Sequence, residues 1–105
     1  MTNSEKILSS IKRKINAVAP DATVILYGSY ARGEQNEHSD IDVLILLEKS
    51  KITAQDKVEV SYPLYDIEFE TGLLISPLVL AKKDWETRHR ITPFYENVMK
   101  DGVRL

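Results

Sequence analysis

The chain has 105 residues, 43% of them hydrophobic, which supports one modest core and a single domain spanning 1–105, with no room for separate substrate-gripping domains. Its 14 basic and 16 acidic residues leave a formal charge of −2, so no global pull toward nucleic acid is expected. There is no cysteine, which excludes a disulfide framework and a thiolate metal site. Residues 1–6 are polar rather than an apolar signal segment, and no apolar run approaches the roughly 20 residues of a membrane span, so a cytoplasmic chain without a membrane partner is expected.

Ser4 is the candidate N-cap of a first helix, in which Ile7, Ile11, Ile15 and Val18 recur at helical spacing beside Leu8 until Pro20. Thr23–Tyr27 is short, apolar and β-branched, and reads as a strand. Residues 28–33 turn sharply and begin a short helix, and 34–39 form a polar loop. Ile41–Leu47 is almost continuously apolar, the pattern of a strand buried on both faces. Over 51–73, the stripe Val58, Tyr62, Tyr65, Phe69 and Leu73 predicts helix, interrupted or started late at Pro63. The rival reading is a strand over 65–70. Gly72 is then expected near the helix end. Residues 73–80 read as a third strand, placed near a sheet edge by Pro77. Residues 83–89 form a helical turn around Trp85, and Thr92-Pro93 caps a last helix with Phe94, Val98 and Met99 on its apolar face and Gly102 at its stop. The order α, β, turn-helix, β, α, β, α describes a small α/β domain with helices packed on a short mixed sheet.

Within "LYGSYARGEQNEHSDIDVLILL", Asp40 and Asp42 stand two apart at the mouth of the most apolar strand. Residues so spaced point to one side of a strand, with Cα atoms roughly 6.5 Å apart. Two carboxylates placed this way repel unless a cation lies between them, and hard divalent ions take such oxygens together with substrate phosphates. Alone, an Asp-x-Asp is more often a solvated strand end. The Gly28-Ser29 pair changes that balance. A strand that ends in Gly-Ser and turns into a helix aims N–H groups at an anion. Gly28 permits close approach, Ser29 adds a hydroxyl, and Arg32 falls on the face of Ser29 with a guanidinium suited to phosphate. Neither a Walker A loop nor a Gly-x-Gly-x-x-Gly fingerprint is present. Taken together these parts form a nucleoside triphosphate–Mg²⁺ site.

Gly28-Ser29, a ten-residue spacer from Tyr30 to Ser39, and Asp40-x-Asp42 resemble the signature of the DNA polymerase β-like nucleotidyltransferase superfamily, and the Ala31-Arg32-Gly33-Glu34 run resembles its minimal branch. The resemblance implies the small polymerase-β-like fold and nucleotidyl transfer, with a hydroxyl attacking an α-phosphate and pyrophosphate leaving. It implies that Gly28, Ser29 and Arg32 hold nucleotide, ATP by expectation, and that Asp40 and Asp42 are the catalytic carboxylates, holding two Mg²⁺ ions. It also implies a HEPN-family protein partner for which such a chain acts as antitoxin; no nucleic-acid template is expected.

The family normally carries a third carboxylate on a later core strand, and residues 73–80 contain no acid. Asp66 and Glu68 serve only if 65–70 is the strand; Glu37 is a weaker substitute. The alternative function is therefore a nucleotide-binding or partner-binding subunit with little or no turnover. An antibiotic-modifying transferase is disfavoured because its additional helical domain does not fit in this length. His38 and His89 lack ligand spacing, the basic residues between Lys82 and Arg90 read as a solvated face or a phosphate contact, and Trp85 and Tyr95 read as core or interface residues.

Overall fold

The computed structural model describes residues 3–105; Met1 and Thr2, the start of the polar N-terminal segment, lie outside the described residues. A four-stranded sheet runs in the order β3-β2-β1-β4, formed by β1 Thr23–Tyr27, β2 Ile41–Leu47, β3 Ile75–Ala81 and β4 Val103–Arg104. β1 pairs antiparallel with β2 and β4, and β2 pairs parallel with β3. A parallel return needs a crossover. It is made by α3 Ala54–Ser61 and α4 Leu64–Thr71, which stand apart at Tyr62-Pro63, where the proline was expected to interrupt. Gly72, in the left-handed region, ends α4. The strand reading of 65–70 is thus excluded.

The burial of β2 follows from its central position. Its odd residues, Ile41, Val43, Ile45 and Leu47, face Ile11 and Ile15 of α1 Asn3–Val18 together with Val60, Leu64 and Ile67 of the crossover. Its even residues Leu44 and Leu46 face Trp85 of α5 Lys82–Thr87 and Val98 of α6 Pro93–Asp101. The sheet therefore lies between a layer of α1, α3 and α4 and a layer of α5 and α6. Trp85 is in the core, ringed by Phe94 and Tyr95.

Two expectations are corrected and one strand is added. Ser4 lies inside α1 rather than capping it. The stripe Val58, Tyr62, Tyr65 and Phe69 identifies the helices but faces outward; the residues that pack are Val60, Leu64 and Ile67. β4 was not anticipated, since two residues are too few to show an alternation. Local capping explains where the crossover starts. The Thr53 hydroxyl accepts from the N–H of Asp56, and the Asp56 carboxylate accepts from the N–H of Thr53.

Candidate active site

The C-terminal end of β1 and the N-terminal ends of β2 and β3 meet at one end of the sheet, with Tyr27 opposite Asp42 and Asp42 opposite Ser76. By strand alternation Asp42 lies on the face of Leu44 and Leu46, the side of α5 and α6. Asp40 lies one residue before β2 and is exposed; Asp42 is half-buried. The Ser76 hydroxyl donates a long hydrogen bond, 3.5 Å, to Oδ2 of Asp40. One strand pair thus brings two carboxylates and a hydroxyl together.

Gly28 joins β1 to the four-residue α2 Ser29–Arg32 with φ 74° and ψ −156°, a region open essentially to glycine alone. A Cβ placed on it would lie 2.5 Å from Oδ2 of Asp42, so the turn backbone passes directly over that carboxylate. Tyr30 and Ala31 anchor α2 against the core on the other face of the sheet. Ser29 is half-buried, and the first N–H groups of such a turn have no intrahelical acceptor. Arg32 is exposed and donates from Nε to Glu34 at 3.1 Å, yet its charge still reaches Asp42. The turn and the Asp pair, separate in sequence, are therefore one place in the fold.

The chain matches the family described as nucleotidyltransferase domain over residues 4–97. It belongs to that family. Two proteins of Methanocaldococcus jannaschii, each provisionally named a protein adenylyltransferase, are similar to this nucleotidyltransferase. One is 42% identical over 106 residues, covering 93% of this chain and 96% of that protein. The other is 37% identical over 79 residues, covering 73% and 79%. The fold is also that of a chain in a toxin–antitoxin crystal structure with AMP-PNP, at TM-score 0.58 and 17% identity, covering 98% of this chain and 72% of that one. A provisionally named nucleotidyltransferase from Sulfolobus solfataricus gives TM-score 0.59 at 22% identity, covering 94% and 76%. These neighbours agree with the small polymerase-β-like α/β fold expected from the sequence.

The electrostatics of this candidate site are set first by burial and then by the closeness of the two carboxylates. Burial pushes the Asp42 carboxyl above its usual range, the charge of Asp40 pushes it further, and Arg32 partly offsets both. The Tyr27 phenol is also raised, by burial and then by Asp42, so it stays protonated at neutral pH.

The candidate third acids are placed elsewhere. Asp66 is on the exposed surface of α4, 3.6 Å from Lys14 of α1. Glu68 accepts the N–H of Ile75 at 2.9 Å and so holds the start of β3. Glu37 lies in the exposed loop beside His38. Among the described residues no group of three or more His, Cys, Asp or Glu is placed to hold a metal ion. Ser76 occupies the β3 position in register with Asp42, and sequence reasoning passed over it; its only signal was one polar residue in an otherwise apolar run. Lys82 lies at the opposite end of β3 from Ser76 and pairs with Glu48, so it does not reach this site. His89 stacks on Trp85.

Proposed function

We propose that this chain transfers an adenylyl group from ATP to a hydroxyl of a protein acceptor, with Asp40 and Asp42 holding divalent metal and the Gly28–Ser29 turn holding phosphate. The observation that carries this reading is the passage of Gly28 over Asp42, with no space for a Cβ between them. A turn that exposes N–H groups directly above a carboxylate pair fits a triphosphate together with its counter-cation and little else.

The residues present fit Mg²⁺. They are two carboxylates and a hydroxyl, oxygen donors without thiolate or imidazole, and Asp42 is raised by burial and then by Asp40, so a cation beside both would favour its charged form. When bound, a divalent ion supplies charge neutralisation at the phosphates and a lower pKa for the attacking hydroxyl. The chain's own parts do the rest. Gly28 admits the triphosphate, Ser29 and its neighbouring N–H groups orient the β- and γ-oxygens, and Arg32 offsets phosphate charge. Asp40 and Asp42 would hold the divalent ion beside the α-phosphate and stabilise the positive charge that develops on the incoming hydroxyl. The acceptor oxygen then bonds to the α-phosphorus as the bond to pyrophosphate breaks, and the hydroxyl proton passes to solvent.

A protein acceptor is supported by the names of the two relatives, and an antitoxin role beside a HEPN-family partner by the resemblance of the motif and the toxin–antitoxin neighbour. A second reading, a nucleotide-binding subunit with slow turnover, is favoured by one observation: a hydroxyl, Ser76, stands where an acid is expected. Incubation with α-labelled ATP, Mg²⁺ and a purified HEPN-family protein tests the first reading. Label on the protein acceptor, lost with EDTA and with Asp42→Asn, supports it. ATP binding that depends on Mg²⁺ without label transfer favours the second, and ATP affinity indifferent to EDTA removes both.

A further inference from the structure

The outward stripe on the crossover is unusual for an element that belongs to the core. Phe69 is 92% exposed, Tyr62 69% and Tyr65 61%, and Val58 and Val18 adjoin them. Tyr62 and Tyr65 meet edge to face at 5.8 Å, so part of the surface is already ordered. Tyr62 stands between two grooves: one of about 460 Å³ lined by Val18, Val58, Glu59 and Pro63, and one of about 210 Å³ lined by Lys57, Ser61 and Tyr65. At these exposures the three rings, each with roughly 150–250 Å² to bury, leave about 450 Å² of aromatic surface open. That is more than half of the roughly 800 Å² that one partner contributes to a standard interface.

Charge identifies the occupant. α3 and α4, with the residues between them, carry five acids, Asp56, Glu59, Asp66, Glu68 and Glu70, against Lys57; Asp56 is buried and paired with Lys49, and Asp66 is paired with Lys14 of α1, which leaves Glu59, Glu68 and Glu70 against Lys57, a net of −2. A second copy presenting the same face would bring like charges together. The complementary shape for an aromatic stripe flanked by grooves is a helix with an apolar face, and the complementary flanks are Lys and Arg.

We propose that the Val58–Tyr62–Tyr65–Phe69 face of α3 and α4 is a docking surface for an amphipathic helix of a partner protein, apolar along one side and basic along its flanks. The surface belongs to the α1, α3 and α4 layer, whereas Asp42 faces the α5 and α6 layer, so an occupied docking face leaves the carboxylates open. The proposal stands apart from the transfer reaction and does not depend on it.

Fluorescence anisotropy with two labelled helical peptides tests it. Both carry the same leucine spacing, one with lysine and one with glutamate at the polar positions. The full chain should bind the lysine peptide with an affinity that weakens as salt rises, and bind the glutamate peptide at least tenfold less well. Tyr65→Ser with Phe69→Ser should weaken lysine-peptide binding at least tenfold, with the melting temperature and ATP binding unchanged because both side chains are exposed. Glu59→Lys with Glu70→Lys should weaken it without removing an aromatic ring. Equal binding of both peptides, no binding of the lysine peptide, or indifference to Tyr65→Ser/Phe69→Ser would overturn the proposal. So would sedimentation showing a dimer that those two substitutions dissolve, since the face would then belong to a second copy.

Discussion

Replacing Gly28 with alanine sets two costs against each other that the structure allows to be separated. The backbone at φ 74°, ψ −156° is nearly closed to residues with a Cβ, so the strain is about 1–3 kcal/mol. In a domain of this size each kcal/mol lowers the melting temperature by roughly 4–8 °C, so Gly28→Ala should still fold, about 10 °C less stable. The second cost is local. The new Cβ would lie 2.5 Å from Oδ2 of Asp42, well inside ordinary contact, so the carboxylate must move by about 1 Å, a displacement that can cost on the order of 10²-fold in a catalytic geometry.

Gly33→Ala is the control. Gly33 also has positive φ, 70°, at the end of the same short helix, but a Cβ there meets nothing within 4 Å. Both variants should lose stability; only Gly28→Ala should lose Mg²⁺-dependent ATP binding, by at least tenfold in calorimetry, with circular dichroism confirming the fold. If the two variants bind ATP equally well, the closeness of Gly28 to Asp42 has no part in nucleotide binding and the site is misplaced.

Three further outcomes are expected. Native Asp42 titrates above its ordinary value, so the native state binds more protons than the unfolded state and its contribution to stability declines as pH rises through that range. Asp42→Asn should therefore melt higher than wild type at pH 7 in EDTA, with the gain shrinking toward acid; an equal gain at both ends would show that burial and Asp40 do not raise Asp42. Asp56, lowered to about 2 by Lys49 and the Thr53 cap, contributes stability that is complete above about pH 4 and fades as pH falls through about 2, so Asp56→Asn should flatten the acid limb of the melting curve. Ser76→Asp should raise transfer by about tenfold or more while changing ATP affinity much less; a rise in affinity with no change in rate would show that position to serve binding alone.

The order of elements was readable because the decisive residues act locally. β2 is central, so both faces are apolar and the run reads as a buried strand; Pro77 lacks an N–H and is tolerated because β3 has a free edge. Gly28-Ser29 and Asp40-x-Asp42 were readable as a pair because a turn and a strand mouth each carry their chemistry in a few adjacent residues. What could not be read lies in contacts between distant segments. Glu68 looks like any surface acid of a helix until Ile75, seven residues on, presents an unpaired N–H to it. The crossover helices carry two stripes, Val58–Tyr62–Tyr65–Phe69 and Val60–Leu64–Ile67, and periodicity reports a helix without saying which stripe faces inward.

Under the proposed function, Ser76 is the position at which binding and turnover separate. On that reading a triphosphate brings its own oxygens to a cation, so two carboxylates and the Gly28 turn would be a sufficient seat for it. Activating an incoming hydroxyl is more demanding, because the proton must leave a neutral oxygen near neutral pH, and each anion facing that oxygen helps. At the β3 position opposite Asp42 this chain offers a hydroxyl, which hydrogen-bonds to Asp40 and adds no charge. Glu68, the acid whose side chain reaches β3, is already committed to the start of that strand. Releasing it would cost the strand its first hydrogen bond, so a simple side-chain swing does not supply the missing charge. If transfer by the chain is fast, the further anion must come from outside these residues, from the acceptor or from a protein that presents it.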